Sequence, residues 1–241
     1  MFGARAQFAS PPPLIRPLFL PRFLQWAAAD QRGRTEACRA VRAWIDNLPT
    51  IAAQNEIQIE ADFYNGFLKP LGYPRPEPDR SEWTLQPKYT ILGDGIVDAA
   101  LGTFRADASG NAIQGEPQVV VELERPGKKL DVRDSRGESP VQQVWRDLNE
   151  SETARWGLLS DGFEIRLYHK LRTPKHMHRV VIADLADPDE FNEFHAVFHP
   201  GGCWVRREPS GSPRRFLKKP PTLRRRLATV STTNTPRDGR S

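Results

Sequence analysis

Gln118-Val-Val-Val-Glu-Leu-Glu-Arg-Pro126 decides the fold. Three consecutive valines predict a strand buried on both faces, which places it centrally in a sheet covered by helices. Strand alternation puts Glu122 and Glu124 on one face, about 7 Å apart along the backbone. Two like charges there repel, and each tends to protonate unless a cation joins them.

Outward from this strand the chain alternates between two periodicities. Strands are expected around Tyr89–Leu92, Gly95–Phe104, Gln118–Glu124, Gly157–Ser160, Phe163–His169 and Arg179–Leu185. Helices are expected at Thr35–Leu48, Gln54–Leu71, Pro140–Glu150 and Asp189–Phe198. The third has a plain start signal: Ser139 as N-cap, Pro140 at N1 and Gln142 completing a capping box. Gly72 closes the second, and Pro74, Pro76 and Pro78 prevent its restart. This order predicts a mixed α/β domain over residues 35–198.

Two further acids sit where a core is expected. On a helix, Glu60 shares a face with Phe63, Phe67 and Leu71. Asp98 lies in Gly95-Ile-Val-Asp-Ala-Ala-Leu-Gly102, otherwise small and apolar. A buried acid needs a cation, a donor or a metal. Mg²⁺ suits such hard oxygen ligands and keeps several waters. Held between Asp98 and Glu122, it would activate water against a phosphate. Arg125, Lys128 and Lys129 follow at once, as candidate phosphate contacts.

The flanks are different in composition. Residues 1–34 form a leader in which Pro17 and Pro21 break the apolar run Leu14–Leu24, so no uninterrupted signal-peptide core exists there. Residues 199–241 carry 11 Lys and Arg against two acids, while residues 1–198 carry 24 against 28. The net charge of +5 thus comes from a basic, Pro-rich tail that is expected to be disordered. No apolar run is long enough for a membrane-spanning helix. With two cysteines among 241 residues, a disulfide scaffold is excluded and a reducing cytoplasm is expected. His195, His199 and Cys203 lack a fourth partner for zinc.

In order, these pieces resemble the PD-(D/E)xK nuclease superfamily, and more narrowly the amino-terminal nuclease domain of type IIG restriction–modification enzymes. The nuclease domain of type I restriction subunits has a similar motif order. The likeness covers about residues 50–198. It rests on Glu60-x-x-Phe63 with Phe67-Leu-x-x-Leu-Gly-Tyr73, on Gly95-Ile-Val-Asp98, and on Val119-Val-Val-Glu122-x-Glu124. Ser139-Pro-Val-x-Gln143-x-Trp145 and Trp156-Gly-Leu-Leu-Ser-Asp-Gly162 with Glu164-Ile-Arg-Leu-Tyr168 complete it.

The resemblance implies a restriction-endonuclease-like core, a central mixed sheet flanked by helices. It implies a metal-dependent DNA endonuclease acting on double-stranded DNA. Asp98 and Glu122 would bind Mg²⁺, with Mn²⁺ as a substitute. Glu60 would support the site, and Gln143 would hold a phosphate or orient the site from the following helix. Glu124 stands where the family has lysine, which fits either an E-x-E nuclease or a degenerate module that binds DNA or a methyltransferase partner without cutting. No NPPY-like motif or glycine-rich loop for S-adenosylmethionine is present, so a methyltransferase or specificity domain would be a separate or missing piece.

Overall fold

Val119, Val120 and Val121 lie fully buried at the centre of a six-stranded mixed sheet. The computed structural model describes residues 31–91, 95–107, 109, 112–135 and 137–200. Of the expected leader (1–34) and tail (199–241), residues 1–30 and 201–241 lie outside the described residues, while residues 31–34 are not irregular but form the first turn of the helix Gln31–Asp46. The described residues begin with α1 (Gln31–Asp46), α2 (Leu48–Ile51) and α3 (Glu56–Asp62), and a π-helical turn, Phe63–Leu68, continues α3. Strands β1 (Trp83–Thr90), β2 (Ile96–Ala106) and β3 (Ile113–Leu123) form an antiparallel meander. Helix α4 (Pro140–Glu150) then crosses to β4 (Trp156–Ser160), which runs parallel to β3. β5 (Glu164–His169) and β6 (Met177–Val181) extend the sheet antiparallel, and a 3-10 turn (Ile182–Ala186) leads into α5 (Pro188–Phe198).

The expected mixed α/β sheet flanked by helices is what forms. One face carries Leu101, Val119, Val121, Leu158 and Leu167 against α1, α3, the π turn and α5. The other carries Val120 and Leu159 against Val144 and Leu148 of α4. A strand of continuous valines serves both faces, as the composition of a doubly covered sheet requires. No described helix is long and apolar enough to cross a membrane.

Helix α4 matches its expected bounds, and its capping box is complete: Ser139 accepts from the Gln142 amide while the Gln142 side chain accepts from the Ser139 amide. Other boundaries differ for local reasons. The helix expected from Gln54 starts at Glu56, because Asn55 acts as N-cap in a capping box with Gln58. It ends in a π turn, where Lys69 donates to the Tyr64 carbonyl five residues back. The strand expected at Tyr89–Leu92 begins earlier, at Trp83, and Leu92 lies outside the described residues. The strand expected at Arg179–Leu185 stops at Val181. Beyond it Ile182 and Leu185, three apart, are both buried by one 3-10 turn.

Glycine is needed at two approaches. Gly72 has φ +97° and lets the chain leave the π turn while Tyr73 Oη donates to the Phe198 carbonyl. Gly102 sits at the β2–β3 register shift, where an added Cβ would fall 2.3 Å from the Glu116 carbonyl oxygen. No other residue fits there without moving backbone.

Candidate functional site

The β2–β3 ladder stops at Ala99 opposite Val121. Continued by one residue, the same register would set Asp98 opposite Glu122. Instead the Asp98 side chain takes over the backbone's role: Oδ2 accepts from the Leu123 amide at 2.8 Å. From the helical side, Tyr64 Oη donates to the Asp98 carbonyl at 2.8 Å. The π turn is what carries Tyr64, and π turns within helices recur at functional sites. Asp98 is therefore fixed by contacts from two layers. Tyr64→Phe removes one of them. It is expected to cost about 1 kcal/mol in urea denaturation and to leave Asp98 less well held.

Lys88 comes to this acid from β1. The register runs from Pro87 opposite Ala99 to Tyr89 opposite Val97, which sets Lys88 across from Asp98. Its Nζ donates to Asp98 Oδ1 at 2.8 Å and to Glu60 Oε1 at 2.6 Å. The expected alignment of Glu60 with Phe63, Phe67 and Leu71 ends at the rim of the core. Those three are buried, while the Glu60 side chain is 14% exposed and meets a cation. Burial raises the Glu60 pKa, the Lys88 hydrogen bond opposes this, and the Asp98 charge adds to it. For Lys88, burial lowers the pKa, but the bonds to Asp98 and Glu60 outweigh it and hold the ammonium above its ordinary value.

Among the described residues Lys88 is the one non-glycine with positive φ, at +46°. That conformation costs a side-chain-bearing residue roughly 1–2 kcal/mol. The Lys88 side chain is 55% exposed, but its two partners, Glu60 and Asp98, are only 14% and 15% exposed, so two ion pairs on largely buried acids offset this cost.

Glu122 lies deeper, 5% exposed. Its Oε2 accepts from Gln143 Nε2 of α4 at 2.8 Å. Its Oε1 is buried without a donor. Asp147, also on α4 and 4% exposed, comes within hydrogen-bonding range of Glu122 when one of the two carboxyls holds a proton. Burial, then the Asp98 charge, then Asp147 push Glu122 up to about 10. Burial also raises Asp147, against the pull of Arg146. At neutral pH this pair of carboxyls retains a proton.

Glu124 follows β3, where its amide donates to the Ser160 carbonyl at 2.8 Å. It is 6% exposed. A turn from Arg125 to Lys128 brings Lys128 Nζ back to Glu124 Oε2 at 2.6 Å. Burial raises Glu124, and Lys128 counters it. Arg125 and Lys129 are exposed. Further along the loop, Asp131 pairs with Arg166 of β5 through both carboxylate oxygens.

The fold thus gathers Glu60, Asp98, Glu122, Glu124, Gln143 and Lys128 at one end of β1–β2–β3. The Asp98 charge acts on all three glutamates. Among the described residues, no three Asp, Glu, His or Cys side chains form a ready metal-ligating group. Sequence reasoning missed Lys88, Tyr64 and Asp147. For Asp147 a signal existed: it shares the apolar stripe of α4 with Val144 and Leu148. No family model, curated protein or solved structure matches the chain.

Proposed function

We propose that this chain is a Mg²⁺-dependent DNA endonuclease of a restriction system, hydrolysing phosphodiester bonds in double-stranded DNA in the cytoplasm. One observation carries the reading: Glu122 Oε1 is buried without a donor beside Asp98 and Asp147. This excess of carboxylate oxygen is costly for folding and suits a hard divalent cation.

Asp98 and Glu122 are the residues that would hold Mg²⁺. Bound there, the ion would lower the pKa of a water and polarise a phosphate oxygen. The chain's own groups do the rest. Gln143 fixes Glu122 through Oε2 and leaves Oε1 available. The Leu123 amide and Tyr64 fix Asp98. Glu124 accepts a hydrogen bond from the attacking water, with Lys128 limiting its excess charge. Arg125 and Lys129, exposed on the loop after β3, meet DNA phosphates.

A second reading keeps the fold and drops the cutting: a degenerate module that binds DNA or a methyltransferase partner. It draws on Glu124 in place of the lysine that the resemblance implies. Supercoiled plasmid with the full chain in Mg²⁺, Mn²⁺ or EDTA separates the two. The nuclease reading expects metal-dependent nicking or linearisation that falls at least roughly 10²-fold in Asp98→Ala. Absence of cutting by folded wild type in both metals overturns it in favour of the second reading.

A further inference from the structure

The nuclease reading places Arg125 and Lys129 on DNA phosphates and assigns no cation to the scissile phosphate itself. Lys128 is committed to Glu124 within one turn, and its side chain is 27% exposed. Lys88 differs in three respects. It stands across the ladder from Asp98. It joins acids from two separate elements, α3 and β2. Its side chain is 55% exposed, so the ammonium has solvent, and therefore arriving DNA, within reach. Its backbone holds a left-handed conformation, and such strain clusters at active sites and ligand clamps.

We propose that Lys88 is the catalytic ammonium of this site, contacting a non-bridging oxygen of the scissile phosphate when DNA is bound. This rests on the nuclease reading and gives the missing lysine a position on β1 rather than β3. In the step itself, the water oxygen bonds to phosphorus and the P–O bond to the leaving sugar oxygen breaks. The proton of the water passes to solvent by way of Glu124, and the leaving oxygen takes one from solvent. Lys88 makes and breaks no covalent bond; it neutralises charge that builds on the phosphate oxygens. Before DNA arrives, the same ammonium occupies Asp98 Oδ1 and holds that oxygen against a competing cation.

The test uses full-length wild type, Lys88→Gly and Lys88→Arg. Glycine tolerates the positive φ, so the first variant keeps the fold. Lys88→Gly is expected to remain folded, melting slightly lower because Glu60 and Asp98 lose their cation, and to cut supercoiled plasmid roughly 10²–10³-fold more slowly, through kcat rather than KM. Lys88→Arg, or ethylamine added to Lys88→Gly, should restore part of the rate. Without DNA, Mn²⁺ measured by electron paramagnetic resonance should bind Lys88→Gly several-fold more tightly, because Asp98 Oδ1 has lost its ammonium. Unchanged cutting and unchanged Mn²⁺ affinity in Lys88→Gly overturn the role of Lys88 while leaving the nuclease reading intact. Lost cutting with a strongly lowered melting temperature and no rescue by arginine or amine overturns it in favour of a structural ion pair. A folded wild type that neither binds Mn²⁺ nor cuts overturns the nuclease reading, and the role of Lys88 falls with it.

Discussion

Glu122→Gln is expected to make the metal-free protein more stable and, under the proposed function, plasmid cleavage roughly 10²–10³-fold slower. The two effects have one origin. Glu122 is 5% exposed, its Oε1 lacks a donor, and its carboxyl is pushed up to about 10. Glutamine keeps the shape, still accepts from Gln143 and can donate to Asp147. It removes the cost of a poorly partnered buried acid, about 1–3 kcal/mol, or roughly 3–9 °C in melting temperature for a domain of this size. A carboxyl with a raised folded-state pKa favours the protonated fold. Between the ordinary glutamate value of 4.5 and about 10, the unfolded chain has released a proton that the folded chain retains, so this group's contribution falls as pH rises. The melting-temperature gap between variant and wild type should therefore be small near pH 4.5 and widen through neutrality. Added Mg²⁺ should narrow it by stabilising wild type alone. Thermal melts from pH 5 to 9, in EDTA and in Mg²⁺, check this. A variant that melts lower at every pH sinks the account of Glu122 as a site acid held at the expense of stability.

Phe67→Ala is expected to be the most damaging single change to the fold. Phe67 is fully buried in the π turn, stacked on Phe63 at 4.9 Å between ring centroids. Trp44 of α1 meets it edge-on at 5.6 Å, and Phe194 of α5 lies at 5.9 Å. Three helical segments thus meet on one ring. Removing it deletes both apolar burial and packing contacts, costing about 3–5 kcal/mol, near 10–15 °C in melting temperature. Urea denaturation measures it directly. The same turn carries Tyr64, so the proposed metal-dependent cutting should also decline at temperatures where the variant remains folded. A loss under 1 kcal/mol would mean that α1 and α5 close over the gap.

The extent to which the site could be read from sequence follows how local each signal is. Helix α4 was legible to the residue, because its N-cap, proline and capping box all lie within four positions. The valine strand was legible because burial on both faces leaves a run with no alternation. Asp98 and Glu122 stood out as acids against apolar neighbours. β1 was largely hidden: Gln86, Pro87 and Lys88 interrupt it midway, between Trp83-Thr84-Leu85 and Tyr89, so neither apolar alternation nor β-propensity runs through it. Lys88 could not have been placed, since its partners are fixed by cross-strand register and by a helix 28 residues away in sequence. The π turn likewise has no local spelling, as an i+5 bond competes with an i+4 bond by packing and not by residue type.

The geometry of Pro87 and Lys88 has an effect on the sheet's exposed margin. Among the described residues, β1 lies at one end of the strand order. A strand in that position offers unpaired amides and carbonyls to any other chain that approaches in register. Proline brings no N–H to such a ladder, and the next residue turns its peptide planes away through a φ of +46°. An incoming strand would meet an interrupted template midway along β1. The kink that aims one ammonium at Asp98 therefore also guards the molecule against edge-to-edge aggregation.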